Sequence, residues 1–108
     1  MSIEDIEVVD AIGVESLSGK LVMTIADHLD WSDERAHLLA LQDKINAYLR
    51  AIQSDDLVNS YPDAAGRTVV IELASEAEIP AVGLRFIEHV EAQVREIGVE
   101  IRLRAAAA

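Results

Sequence analysis

The chain has 108 residues, of which 51% are hydrophobic, and its 20 acidic and 9 basic residues give a formal net charge of −11. This length and composition predict one soluble domain over residues 1–108, with a single core and without a membrane span or a signal peptide. An acidic field repels phosphate backbones and anionic lipid headgroups, so the charge disfavours nucleic-acid and membrane partners. The sequence has no cysteine, which excludes disulfides and thiolate chemistry and fits a cytoplasmic protein.

The first half of the chain predicts a β-hairpin followed by a long helix. Residues 6–14 predict a strand with a bulge near Val9 or Asp10, and a turn containing Gly19 leads into the apolar strand 21–26. The helix then starts with Asp30 or Ser32 as its N-cap. Spacings of three and four residues define its buried stripe, and the polar side chains between them define its solvated face: Leu38, Leu41, Ile45, Tyr48, Leu49 and Ile52 on the stripe, and Asp43, Lys44, Asn46, Arg50 and Gln53 on the solvated face.

The second half predicts a strand, a helix and a final strand. A structured connection that contains Gly66 leads to the strand 67–73. The second helix has Pro80 near its first turn and Gly98 at its end. Its apolar stripe consists of Val82 or Gly83, Phe86, Ile87, Val90, Val94 and Ile97. Residues 99–104 alternate between apolar and charged side chains, which predicts a strand with one buried face, and residues 105–108 form a frayed tail.

The order of elements is therefore ββαβαβ, which predicts an α+β fold. Two right-handed crossovers in the same direction put both helices on one face of a four-stranded mixed sheet, a two-layer sandwich whose first two strands are antiparallel. The strand order stays open, and a split arrangement of the ferredoxin-like kind is the alternative. The uncovered face of such a sheet, with Val9, Val22 and Val70 on it, or a free sheet edge, would allow a homodimer.

Polar side chains gather at the junction between the second strand and the first helix. The candidate functional surface consists of Asp27, His28, Asp30, Trp31, Asp33, Glu34 and His37. Carboxylates and imidazoles there could bind a divalent metal through Asp27, His28, Asp30 and His37, or act as acid and base. Their spacing is not diagnostic of a metal or catalytic site, so we assign no catalytic residue and no cofactor.

Each of these residues also has a structural interpretation. The acids can cap the helix, and His28 can hold the turn by bonding the backbone or Asp30, while His37 and His89 are expected at the surface. Trp31 either covers the start of the helix as an apolar lid or is an exposed contact for a partner.

The stretch from Asp27 to Trp31 (Asp-His-Leu-Asp-Trp), with His37-Leu38-Leu39, Leu41-Gln42, Lys44-Ile45-Asn46 and Tyr48-Leu49 after it, resembles a family of small uncharacterised bacterial proteins, a domain of unknown function. Tyr61-Pro62-Asp63-Ala64 and Gly66 fit the same pattern, and the resemblance extends over nearly the whole chain. It implies a single domain and brings no catalytic residue or ligand with it.

Charge distribution leads to the functional hypothesis. Residues 1–63 carry 13 acids and 4 bases, a net −9, whereas residues 64–108 carry 7 acids and 5 bases, a net −2, and these sums recover the totals of 20 and 9. We therefore expect a non-enzymatic interaction module of regulatory or immunity type, whose acidic half attracts a basic protein. The alternatives are a small metal-binding domain or metal-dependent hydrolase that uses the Asp27 cluster, and an acidic surface that serves solubility alone.

Overall fold

A four-stranded mixed sheet carries the helices on one face. The computed structural model describes Ile3 and residues 9–105, and its strands are β1 (Ala11–Val14), β2 (Leu21–Asp27), β3 (Val69–Ser75) and β4 (Val99–Ala105). β1 is antiparallel to β2, whereas β2 is parallel to β3 and β3 is parallel to β4. The helices are α1 (Glu34–Gln53), the short α2 (Asp56–Ser60) and α3 (Ala81–Arg95), with a 3-10 helix at Pro62–Ala64.

The predicted α+β architecture is confirmed, and its strand order is β1-β2-β3-β4. Each strand lies beside its neighbour in sequence, so the split alternative is wrong. The two crossovers move in the same direction along the sheet, and α1 and α3 accordingly pack side by side on one face. Within the part of the chain that the structure describes, no helix has the length and hydrophobicity needed to cross a bilayer.

The core lies between the sheet and the two long helices. Alternate residues of β2, among them Met23 and Ile25, point towards the helices and are fully buried. They lie in register with Ile71 and Leu73 of β3, and Leu41 of α1 packs in the same cluster. One face of each strand and one stripe of each long helix are therefore removed from water together.

Local hydrogen bonds move two of the predicted element boundaries. Helix α1 is capped by Asp33, whose carboxylate accepts from Ala36 N at 3.0 Å, because Asp30 is engaged in its own turn with Ser32. Strand β3 begins two residues later than predicted, at Val69. The reason is that the Arg67 side chain belongs to the turns, since it donates to Asp63 O and Gly19 O at 2.7 and 2.8 Å.

The N-terminal part of the predicted first strand differs from the expectation. Strand β1 covers only Ala11–Val14, and residues 6–8 lie outside the described residues, as do residues 106–108 of the predicted tail; Ala105 belongs to β4. At the site of the predicted bulge, the Asp10 carboxylate accepts from Ala26 N at 2.8 Å and takes the place of a strand partner. Val9 packs against the core rather than on the open face.

Ion pairs cover part of the sheet face that has no helices. Val22 and Val70 lie on this open face as predicted, yet Val70 is fully buried. The Arg102 guanidinium of β4 reaches Glu15, just after β1, at 2.8 Å, and Lys20 reaches Glu100 at 2.9 Å. Both pairs join the β1–β2 hairpin to β4 and therefore cross the open face above β3. The aliphatic parts of these side chains cover Val70.

Candidate functional site

The polar cluster predicted from the sequence lies at the carboxyl ends of β2 and β3. Asp27 ends β2 and is in register with Ser75, which ends β3. The two connections that follow, residues 28–33 and 76–80, lie at the same edge of the sheet, and Glu76 N donates to Asp27 O at 2.9 Å. Ligand sites of parallel sheets are commonly found at this edge.

A buried pair, Asp27 and His37, forms the centre of the cluster. The distance from His37 Nε2 to Asp27 Oδ2 is 2.5 Å, and the two side chains are 1% and 0% exposed. The other carboxylate oxygen of Asp27 accepts from Leu29 N at 3.1 Å. His37 Nδ1 lies 2.8 Å from Asp30 O. The pair thus joins the end of β2, the connecting turn and the first turns of α1.

The hydrogen-bond partners engage every polar side-chain atom of this pair. Asp30 O is a carbonyl and can only accept, so His37 Nδ1 donates to it. His37 Nε2 and the Asp27 carboxylate are hydrogen-bonded to each other. Because both ring nitrogens and both carboxylate oxygens are engaged and shielded from solvent, the pair has no free atom with which to bind or protonate a substrate.

Trp31 covers this pair. Its ring stacks on the His37 imidazole with centroids 3.7 Å apart and an angle of 17° between the planes. The opposite neighbour is the first turn of α3, where a Cβ placed on Gly83 would lie 2.8 Å from Trp31 Cη2 and 2.7 Å from Ile79 Cγ2. The Trp31 indole N–H is buried without a hydrogen-bond partner among the described residues. Trp31 therefore fills the junction between α1 and α3.

The close approach at Gly83 leads to a stability prediction. We expect Gly83→Ala to lower the free energy of unfolding, because overpacking costs about 1–3 kcal/mol and exceeds the roughly 1 kcal/mol that alanine gains over glycine in a helix. Urea unfolding followed by circular dichroism measures the change. Gly13→Ala is the matched control, since no atom lies within 4 Å of a Cβ at that position. Equal stability of the two variants would contradict the prediction.

The structure brings together only part of the predicted site. Asp27 and His37 meet, whereas His28, Asp30, Asp33 and Glu34 are exposed. The Asp30 carboxylate accepts from the Ser32 hydroxyl and backbone N–H, which lowers the pKa of Asp30. Among Ile3 and residues 9–105, no group of three or more His, Cys, Asp or Glu side chains is placed to hold a metal ion. The geometry therefore offers no support for the metal-site alternative.

The expectation that His37 lies at the surface is wrong, and the sequence contained a signal for its burial. His37 precedes Leu41 by four residues, so it falls on the buried stripe of α1. Asp27 likewise continues the alternation of Met23 and Ile25 onto the helix-covered face of β2. The spacing therefore places both residues on buried faces, although both residue types are polar. His37 connects the turn to α1 through its contact with Asp30 O, and His28 is exposed.

Sequence reasoning missed a second buried polar cluster. Lys44, assigned to the solvated face of α1, is fully buried and lies 3.2 Å from Asp10 Oδ1. Its Nζ atom also lies 5.5 Å from the centroid of the Tyr48 ring. The Tyr48 hydroxyl donates to Thr24 O at 2.7 Å and accepts from Asp10 N at 3.0 Å. This cluster fixes the chain before β1 against β2 and α1.

Burial of Tyr48 predicts a change of stability at high pH. Desolvation raises the pKa of Tyr48 to about 12 from 10.0. The folded state therefore favours the neutral phenol, and this contribution to stability is complete below pH 10 and is lost as the pH rises towards 12. Tyrosinate absorbance during an alkaline titration measures the shift. In Tyr48→Phe the tyrosine ionisation near pH 12 should disappear. If it persists, it belongs to another tyrosine.

A groove of about 340 Å³ separates α1 from α3 on the outer side of the molecule. Apolar side chains such as Leu49 and Phe86 alternate along it with polar ones such as Gln42 and His89. Among the described residues that line this groove, His89 is the one titratable side chain.

Comparison with known proteins identifies a family for this chain. The model of a family of unknown function, DUF6572, matches residues 1–107. Neither the curated proteins nor the solved structures provide a match.

Proposed function

Because the chain belongs to the DUF6572 family, whose function is unknown, we propose its function from the exposed surface: it is a non-enzymatic interaction module that binds a basic protein. The observation that carries this proposal is an acidic rim at the carboxyl edge of the sheet. The rim consists of five exposed acids on the two connections and the start of α1: Asp30, Asp33, Glu34, Glu76 and Glu78.

Electrostatics support binding at the acidic rim. Arg35 is the only basic residue in residues 28–36 and 76–80, so the five carboxylates produce a strongly negative local field. The lowered pKa of Asp30 keeps that group ionised. Fields of this kind steer oppositely charged proteins and accelerate their association.

Rigidity of the frame is the second support. The Asp27–His37 pair and the stacked Trp31 hold the connection after β2 against both long helices. A charged surface on a fixed frame loses little conformational entropy when a partner binds. The buried pair thus contributes by positioning the acidic rim, and catalysis is not part of the proposal. A regulatory or immunity-type role in the cytoplasm of a bacterium is the setting that we propose for this module.

Neutralising the acidic rim tests the proposal. The rim variant carries Asp30→Asn, Asp33→Asn, Glu34→Gln, Glu76→Gln and Glu78→Gln, and Asn at position 33 preserves the helix cap. The matched control removes five exposed acids elsewhere, through Asp43→Asn, Asp55→Asn, Asp56→Asn, Asp63→Asn and Glu96→Gln. Both variants have the same net charge, so a difference between them reports the location of the charge.

The measurement compares the three proteins as immobilised bait in a lysate of the source cell. We expect basic proteins to be retained by the wild type and by the control, and to be lost from the rim variant. Retention should also fall as salt rises, because the Debye length shrinks to about 8 Å at physiological ionic strength. Equal loss from both variants, or retention that salt does not weaken, would contradict a specific acidic site.

A further inference from the structure

Strand β4 forms an edge of the sheet. The strand order places it beside β3 alone, and its seven residues pair one to one with β3 without a bulge. In the described part of the chain, no other segment bonds to its outer side. The opposite edge differs, because β1 has only four residues. A regular edge of this length presents unpaired backbone donors and acceptors to another strand.

The side chains of β4 differ between its two faces. Glu100, Arg102 and Arg104 point to the open face, whereas Ile101 and Leu103 point to the helix-covered face. Leu103 is 43% exposed, although its neighbours in the same row, Ile25 and Leu73, are buried. Its exposure arises because the sheet ends at β4, and one further strand would cover it.

We infer that β4 pairs antiparallel with β4 of a second copy of this chain, so that two four-stranded sheets join into one. The sequence of the strand is self-complementary when the two-fold axis passes through Arg102. Glu100 then lies opposite Arg104 of the other copy, and the same pair occurs again across the axis. On the other face the partly buried Ile101 lies opposite the exposed Leu103, so the pairing covers both apolar side chains. Charged and apolar cross-strand pairs of this kind stabilise sheets.

The centre of this arrangement brings two copies of Arg102 together. Each guanidinium is already engaged within its own chain, at 2.8 Å from Glu15 and at 3.6 Å from Glu72. These carboxylates compensate the two positive charges, so the axis carries no uncompensated repulsion. Glu100 and Arg104 are the most exposed charges of the strand. Within one chain they already contact Lys20 at 2.9 Å and Glu72 at 3.2 Å, and the second copy would give each a further partner.

Helix α3 extends the same surface. Phe86 and Val90 face the groove towards α1, and Leu84 lies on another side of the helix because about 3.6 residues make one turn. Leu84 is 41% exposed. Since α3 is the last helix over the sheet before β4, Leu84 would lie close to the two-fold axis and add an apolar contact between the helices of the two copies.

Molecular mass in solution is the first test. Light scattering and sedimentation equilibrium should give twice the 11.8 kDa of one chain. Leu103→Glu should reduce the mass to that of one chain while the circular dichroism spectrum stays unchanged. Leu17→Glu is the matched control, because Leu17 is 99% exposed in the turn after β1, and it should leave the dimer intact. A monomeric wild type, or a dimeric Leu103→Glu variant, would overturn the inference.

Charge reversal tests the register. Glu100→Arg and Arg104→Glu each place like charges opposite each other twice, so each should raise the dimer dissociation constant roughly tenfold. An equimolar mixture should recover the wild-type affinity, because each cross-strand pair in the mixed dimer again joins opposite charges. This recovery also shows that both variants are folded. A mixture no tighter than its components would overturn the pairing of Glu100 with Arg104.

Discussion

Replacing His37 with alanine is expected to lower the free energy of unfolding by about 3–5 kcal/mol, a large part of the roughly 5–15 kcal/mol that holds a domain together. The reason is that Asp27, whose side chain is 0% exposed, would keep its hydrogen bond from Leu29 N but lose its hydrogen bond with the His37 imidazole. Trp31 would also lose the ring on which it stacks. Urea unfolding monitored by circular dichroism measures the loss.

Two further variants separate the buried pair from a general effect of losing a histidine. His89→Ala removes an exposed imidazole from α3 and should change stability by less than about 0.5 kcal/mol. Asp27→Asn keeps a side chain of the same shape that can still bond to His37, so its cost should be smaller than that of His37→Ala. A His37→Ala variant that is as stable as His89→Ala would show that the pair does not hold the junction.

The second large effect is expected at Lys44, where alanine should also cost about 3–5 kcal/mol. Removal of the ammonium leaves the Asp10 carboxylate, 3% exposed, without the cation that faces it. The same substitution removes a buried aliphatic stem and the cation above the Tyr48 ring. Urea unfolding by circular dichroism again gives the change in free energy.

Lys20→Ala is the matched control for Lys44. Lys20 also forms an ion pair, with Glu100, but its side chain is 34% exposed, and such surface pairs contribute about 0–1 kcal/mol. The double variant Asp10→Asn with Lys44→Met removes both buried charges and keeps an acceptor for Ala26 N. It should recover most of the stability lost in Lys44→Ala. If Lys44→Ala proves as mild as Lys20→Ala, the buried pair contributes little.

Periodicity was sufficient to predict the elements and their layers. Alternation in β2 and spacings of three and four in α1 report which side of each element is buried, because burial acts on one face at a time. Handedness of the crossovers then places both long helices on one side of the sheet. The boundaries were less predictable, since the cap at Asp33 and the turn at Arg67 depend on hydrogen bonds that several nearby residues could form equally well.

The candidate site was predictable in location but not in arrangement. The residues around Asp27 do lie at one edge, because the carboxyl ends of parallel strands coincide there. Polarity, however, suggested exposure for His37 and Lys44, whereas their phase on α1 indicated burial. The sequence could not show that Asp10 is the acid that pairs with Lys44. The two residues are 34 apart and meet only after the sheet and the helix have packed together.

The stacking of Trp31 on His37 also has a photophysical consequence. Trp31 is the only tryptophan of the chain, so all indole emission comes from the junction of α1 and α3. The surroundings of this indole change when the junction opens, so its fluorescence should change on unfolding. Trp31 therefore serves as an intrinsic fluorescent reporter, and stopped-flow fluorescence would follow the opening of this junction without an added dye.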